Sequence, residues 1–214
     1  MKKILMICCM LLALNCFAME NSRDGWFGFF NKSTINEKFS WWTETQLRHD
    51  LDINKMQQAL IRTGLLYKIS SDLEAGFLYA YITSDTAKEH RFSLQNTMKY
   101  GVFANAVFSH RMRLEYRSRE RVKNLPERFR YLLRAQQEIN RKIKRVIWDE
   151  VFLNLRKDPQ IRNDIFAINR LFIGGRYALS SSFSIEAGYL NQYINRPVSK
   201  LMEHVAVLYL FFRS

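Results

Sequence analysis

From Phe39 onward the chain alternates, residue by residue, between apolar and polar side chains in runs of about ten, and this period of two commits it to strands. Between Phe39 and Arg48, Phe39, Trp41, Thr43, Thr45 and Leu47 share one side and Ser40, Trp42, Glu44, Gln46 and Arg48 the other. Runs of the same kind follow over Gln58–Lys68, Leu73–Ile82, Glu89–Tyr100, Ala106–Arg117 and Arg128–Gln136. Four more centre on Ile147–Asn154, Arg170–Tyr177, Ile185–Tyr193 and His204–Phe211. In the last, Val205, Val207, Tyr209 and Phe211 are read as the apolar outward face, opposite His204, Ala206, Leu208 and Leu210. Across these ten runs Asp149 is the single charged residue on an apolar side, in a chain whose residues are 25% charged. A soluble sandwich also alternates, so the faces alone do not separate a barrel in lipid from a core in water.

The aromatic residues separate them. Tyr67, Tyr100 and Tyr177 each close a run before a short break, whereas Tyr81, Tyr116 and Tyr193 each close one before a longer, more polar break. Two aromatic rims, short turns at one end and long loops at the other are the plan of an outer-membrane barrel. Short breaks include Asn36-Glu37, Ser70-Ser71, Gly101 and Ser180–Ser182; longer ones include His49–Lys55, Thr83–Lys88, Ser118–Glu127 and Arg156–Asn163. Lipid offers no partner to backbone polar groups, so such a sheet must close on itself. The expected fold is therefore all-β, a transmembrane up-and-down antiparallel barrel of 10 to 12 strands. Gly25–Ser33 is an eleventh, weaker run. Single-chain bacterial barrels favour even numbers. That parity asks for 10 strands if this run stays outside the wall, or 12 if one more exists. The end of the chain, Phe211-Phe212-Arg213-Ser214, places its aromatic pair just short of the terminus.

The beginning of the chain supplies the route of export. Lys2 and Lys3, the apolar run Ile4–Leu14 and the Cys16-Phe17-Ala18 segment form a secretory leader with cleavage expected after Ala18. The apolar run is too short to span a bilayer as a helix. Residues 1–18 are thus read as a cleaved signal peptide and residues 19–214 as one barrel domain in the outer membrane of a Gram-negative bacterium. Cys8, Cys9 and Cys16 all lie in the leader, so the exported chain has no thiol for a disulfide, a zinc site or a nucleophile. Losing the leader lowers the net charge only from +13 to +11. A balance this basic suits nucleic acid, but export removes that partner. It leaves outer-membrane lipids, with lipopolysaccharide among them, an anionic solute, and the barrel-assembly machinery during insertion.

The residues resemble a known group. Glu89-His90-Arg91, the run Arg111-Met112-Arg113-Leu114-Glu115-Tyr116-Arg117, Asn169-Arg170 and Gly188-Tyr189-Leu190-Asn191-Gln192-Tyr193 are similar to the bacterial family called domain of unknown function 2490. The likeness runs from about Gly25 to Phe212. It implies an outer-membrane barrel and no particular activity.

The polar faces carry the chemistry. Arg48, Arg62, Arg91, Arg111, Arg113, Arg117, Arg128, Arg130, Arg134, Arg170 and Arg176 point inward on this reading, with Glu44, Glu74, Glu89, Glu115, Glu150 and Glu186 among them. One reading is an anion-attracting lumen, since arginine rings select anions. The other is a ladder of ion pairs filling a barrel too narrow to leave an open channel. A lipid hydrolase needs a base beside a nucleophile. Within a strand, parity turns His90 from Ser93, His110 from Ser109 and His204 from Glu203. His110 against Ser118, and pairings across strands, stay open. His110 falls near mid-strand on the outward side, where an imidazolium is costly. The four histidines show no metal-ligand spacing, and neither metal nor cofactor is expected. The basic loop Arg117–Lys123, with Arg119 and Arg121, suits lipopolysaccharide phosphate or plain solvent. The leading expectation is a non-catalytic barrel, structural or minimally permeable. A narrow anion-preferring channel and a lipid hydrolase are the alternatives.

Overall fold

The computed structural model describes residues 19–102, 105–122, 125–157, 164–196 and 199–214. The expected leader lies outside these residues, as do Lys123 of the basic loop and most of the break ending at Asn163. The described chain forms eleven strands: β1 (Met19–Thr34), β2 (Phe39–Asp50), β3 (Lys55–Lys68), β4 (Leu73–Ser84), β5 (Lys88–Val102), β6 (Ala106–Arg119), β7 (Arg128–Glu138), β8 (Ile143–Asn154), β9 (Phe166–Ala178), β10 (Phe183–Asn195) and β11 (Lys200–Arg213). Each pairs with the next, and β11 pairs back onto β1 to close a barrel.

Eleven strands fall within the expected 10 to 12, though on neither of the even numbers that parity asks for. Gly25–Ser33 lies inside β1, a full wall strand bonded to β2 on one side and β11 on the other. Every hairpin reverses direction, so with an odd count the first and last strands run the same way. The seam between them is therefore parallel, from Met19 opposite Lys200 to Lys32 opposite Arg213, while all other pairs are antiparallel. This one parallel pair departs from the purely up-and-down plan, and odd-numbered closed barrels have precedent. Gly101, expected as a break, belongs to β5.

One end carries the short turns, and four of them share a device. Ile35, Ile69, Ile139 and Leu179 each donate a backbone N–H to the carbonyl four residues on, over 2.9–3.0 Å. The next residue, Asn36, Ser70, Asn140 or Ser180, uses its side-chain oxygen to accept the backbone N–H groups two and three residues ahead. Asn and Ser suit the position because their short polar side chains substitute for a backbone acceptor in a turn. The sequence repeat is an aliphatic residue, Asn or Ser, two polar residues, then an apolar residue. The opposite end carries the connections 51–54, 85–87, 120–127, 155–165 and 196–199. Asn54 there turns through a left-handed φ of 52°, a conformation asparagine tolerates.

The outward face is apolar and exposed, including Ile61, Phe77, Leu94, Leu114, Ile147 and Ile173. The inward face is of two kinds. On the side of β1 and β8 to β11 it is an aromatic and aliphatic core of Trp26, Phe30, Trp148, Phe172, Leu190, Val205, Val207 and Tyr209. On the side of β5, β6 and β7 it is polar. Here the last strand corrects the sequence reading: Val205, Val207, Tyr209 and Phe211 point into the barrel, whereas His204, Ala206 and Leu208 are exposed on the wall. Both faces of β11 are apolar, so alternation has no contrast with which to choose, and the pairing to β10 and β1 decides instead. The inversion puts Phe212, the last aromatic of the chain, on the outer wall.

The core closes over a glycine pair. Gly174 and Gly188 lie opposite each other on β9 and β10. A Cβ on either would come within 2.7 Å of the Phe172 ring and 2.9 Å of the facing Cα. Only glycine lets the ring lie flat against the wall there, and larger residues would overpack the site.

Candidate functional site

The candidate site is the lumen, and each of its charged residues is positioned by strand parity. Arg48 on β2, Arg62 on β3, Glu89 and Arg91 on β5, and Arg111, Arg113 and Glu115 on β6 all point inward. So do Arg130 and Arg134 on β7, Glu150 on β8, Arg170 and Arg176 on β9 and Glu186 on β10. Neighbouring strands then bring them into pairs that the sequence could not assign.

Two carboxylates organise the centre. Glu115 accepts from Arg128 at 2.6 Å and Arg130 at 2.7 Å, and Arg113 stands 3.9 Å away. Glu150 accepts from Arg130 and Arg111, each at 2.8 Å, with Arg170 at 3.7 Å. Arg130 therefore bridges both carboxylates, matching its planar fork to two acceptors. Around this pair, Arg62 bonds Glu44 at 2.7 Å, Arg91 and Arg119 share Glu89 at 2.5 and 2.8 Å, and Arg134 and Arg176 share Glu186. Glu74 is taken by Lys32 of β1. A buried ion pair is stable only if its remaining donors and acceptors are satisfied, and sharing of carboxylates does much of that here.

Aromatic rings support the arginines from the core side. Arg48 lies 3.9 Å from the centre of the Trp26 ring, and Arg170 lies 4.8 Å from it. Phe152 carries Arg130 at 4.4 Å, Arg170 at 4.5 Å and Arg128 at 5.0 Å. Stacking on a ring holds a guanidinium plane while leaving its N–H edge free. Phe211 carries Arg176 at 3.8 Å; it escapes the sequence because it lies on the misassigned face of β11, as Trp26 does because it lies in the weakly alternating first run. The signal that could have revealed the tryptophans is that Trp26, Trp42 and Trp148 share parity with charged neighbours.

The lumen is divided into two cavities. The larger, about 570 Å³, opens toward the long loops and is lined by eleven arginines against three glutamates, Glu44, Glu150 and Glu203. The other, about 460 Å³, opens toward the short turns and includes Lys32, Lys99, Lys144 and Arg176 with Glu74 its single acid. Seven side chains border both: Phe30, Trp42, Leu132 and Phe211, with Arg111, Arg113 and Arg134. They lie where the two cavities adjoin, near the middle of the barrel.

The outward wall holds the remaining candidates. Tyr67, Tyr100 and Tyr177 lie at the short-turn ends of β3, β5 and β9, and Tyr81, Tyr116 and Tyr193 at the long-loop ends of β4, β6 and β10. All six face outward. The outward histidines meet tyrosine hydroxyls: His90 bonds Tyr79 at 2.7 Å, His204 bonds Tyr189 at 2.6 Å, and His110 bonds Tyr100 at 2.6 Å and also Tyr131. Asp149 accepts from Asn169 at 2.9 Å. Register places Ser118 opposite His90 at the long-loop rim. Among the described residues, however, no histidine bonds a serine hydroxyl, and no group of three or more His, Cys, Asp or Glu could hold a metal ion.

Comparison with known proteins agrees with this architecture. The family model described as "Protein of unknown function (DUF2490)" matches residues 24–203. An uncharacterised protein of Methylorubrum extorquens is 26% identical over 183 residues, covering 81% of this chain and 80% of that one. Among solved structures, the NanC porin superposes with a TM-score of 0.54, covering 89% of this chain and 99% of that one, at 10% identity. That likeness is one of fold.

Proposed function

The chain belongs to the DUF2490 family of proteins of unknown function, and from that premise we propose that it is a non-catalytic barrel of the Gram-negative outer membrane whose lumen is closed to free diffusion. The observation that carries this reading is the set of Phe30, Trp42, Leu132, Phe211 and three arginines that borders both cavities. A wall of this circumference is near the size that side chains can fill, and here aromatics and paired arginines do so. The exposed apolar belt, rimmed by outward tyrosines at both ends, supports residence in lipid. The polar groups on that belt are bonded to one another, which lowers the cost of placing them there. Residues 1–18 would act as the cleaved leader and the barrel-assembly machinery would insert the wall. Arg121, at the long-loop end, would meet lipopolysaccharide phosphates, whereas Arg119 is held inside by Glu89.

A second reading, a narrow anion-preferring channel through Arg111, Arg113, Arg130, Arg134 and Arg170, is favoured by the excess of arginine over glutamate in the larger cavity. One measurement separates the two. Refolded protein in planar bilayers should insert without discrete current steps, and Trp42→Ala with Phe211→Ala should open steps that prefer anions. Steady anion-selective steps from the unmodified protein, weakened by Arg111→Gln or Arg134→Gln, would establish the channel and overturn the closed lumen.

A further inference from the structure

The cavity on the long-loop side holds more positive charge than its carboxylates can neutralise, and the surplus is localised. Glu115 and Glu150 together serve five arginines, 111, 113, 128, 130 and 170. Arg48 is the extreme case. Among the described residues it has no carboxylate within 4 Å, its one side-chain hydrogen bond is a long 3.4 Å contact to neutral Gln46, and its Nε is buried without a partner. Glu203, the acid of this cavity on the same side, accepts from Gln192 instead. The Nη1 of Arg113, a residue almost wholly buried, is likewise without a hydrogen-bond partner.

Donors left unmatched inside a fold are costly, and stacking on rings does not supply acceptors. Trp26 carries the guanidinium groups of both Arg48 and Arg170, and the 570 Å³ space in front of them is of a size that encloses a small solute. We propose that Arg48 and Arg170 on Trp26, backed by Arg111 and Arg113 where the two cavities adjoin, form a binding site for a small soluble anion bearing a carboxylate or phosphate group. Such a group brings two or three acceptor oxygens and charge to Arg48, which lacks both, and an acceptor to the unpartnered Nη1 of Arg113, the arrangement in which arginine binds most strongly. The site rests on the closed-lumen reading, because a closed lumen makes this cavity an end point rather than a stage of a passage.

The experiment is calorimetric titration of the full refolded barrel in zwitterionic detergent, free of lipopolysaccharide, with inorganic phosphate and separately with glucuronate. Sodium chloride at matched ionic strength serves as the reference. The expected result is saturable binding of phosphate or glucuronate beyond chloride. Arg48→Gln should weaken it about tenfold or more, the scale of one lost charge-assisted bond. Arg176→Gln, in the other cavity, should leave it unchanged. Both variants should keep the heat-dependent gel mobility of a folded barrel. A response no different from chloride, or equal weakening by both substitutions, would overturn the site. So would binding of lipopolysaccharide alone, since that assigns the charge to the loops. Conductance reports on the closed lumen and titration on the site, so either can fail without the other.

Discussion

Arg130 is the residue on which the lumen turns. It donates to Glu115 at 2.7 Å and to Glu150 at 2.8 Å, and all three side chains are nearly fully buried. Replacing buried ionic groups together with apolar ones of similar volume can be neutral, but deleting one member leaves its partners uncompensated. Arg130→Ala should therefore destabilise the barrel by about 3 kcal/mol, read from urea unfolding in lipid vesicles. Arg130→Lys, which keeps the charge and loses the fork, should cost less. A loss below about 1 kcal/mol for the alanine variant would mean that lumen water, not the arginine, satisfies the two carboxylates. The surface arginines give a contrast: Arg23 meets Asp52 at 2.7 Å with three-quarters of its side chain exposed, and such a pair contributes little.

At the scale of the element, the repeated turn is the most regular feature of the chain. Asn36, Ser70, Asn140 and Ser180 occupy one position in four hairpins and make the same two bonds to backbone N–H groups. Each bond exchanges a water partner for a protein one, so the net worth is modest. Asn36→Ala and Asn140→Ala should each lower stability by about 1 kcal/mol. Because the two turns lie in separate hairpins, the double variant should lose the sum. A turn also fixes the register of its hairpin, and a slip of one residue exchanges the lumen and wall faces of the strand. The fourfold alanine variant should accordingly refold more slowly than its stability loss alone explains, measured by the appearance of the folded gel band. Equal refolding rates would show that register is set by the walls and not by the turns.

For the whole molecule the decisive feature is the parallel seam. Gly25 and Ala206 are partners across it, both outward, and adjacent strands are about 4.8 Å apart, within the span of a disulfide. Cys8, Cys9 and Cys16 all lie within residues 1–18, so the described residues hold no competing thiol. Gly25→Cys with Ala206→Cys should therefore form an intramolecular crosslink in the folded barrel and none after unfolding in reductant, visible as a mobility shift. A barrel of ten strands closed by β2 on β11 would leave these thiols apart, and failure to crosslink would favour it. The odd number also places the start of β1 at the long-loop end, beside the start of β11.

The sequence by itself determined that the wall is made of strands, where most of them turn, and which face of each points inward wherever one face is charged. Arg48, Glu89, Arg113 and Glu186 could be placed because a guanidinium or carboxylate opposite an apolar row leaves one orientation. The same logic had no purchase on β11, whose two faces are both apolar, nor on β1, where Gly25 and Gly28 break the alternation. The number of strands escaped for a related reason: closure is a property of the two edges that meet, and neither edge announces its partner. Nor could the sequence show that Arg130 bridges two carboxylates while Arg48 has none, because those pairings cross between strands and depend on register, which no single run reveals. Periodicity is local and decides faces. Register and closure are long-range, and they decided how the lumen is paired, divided and charged.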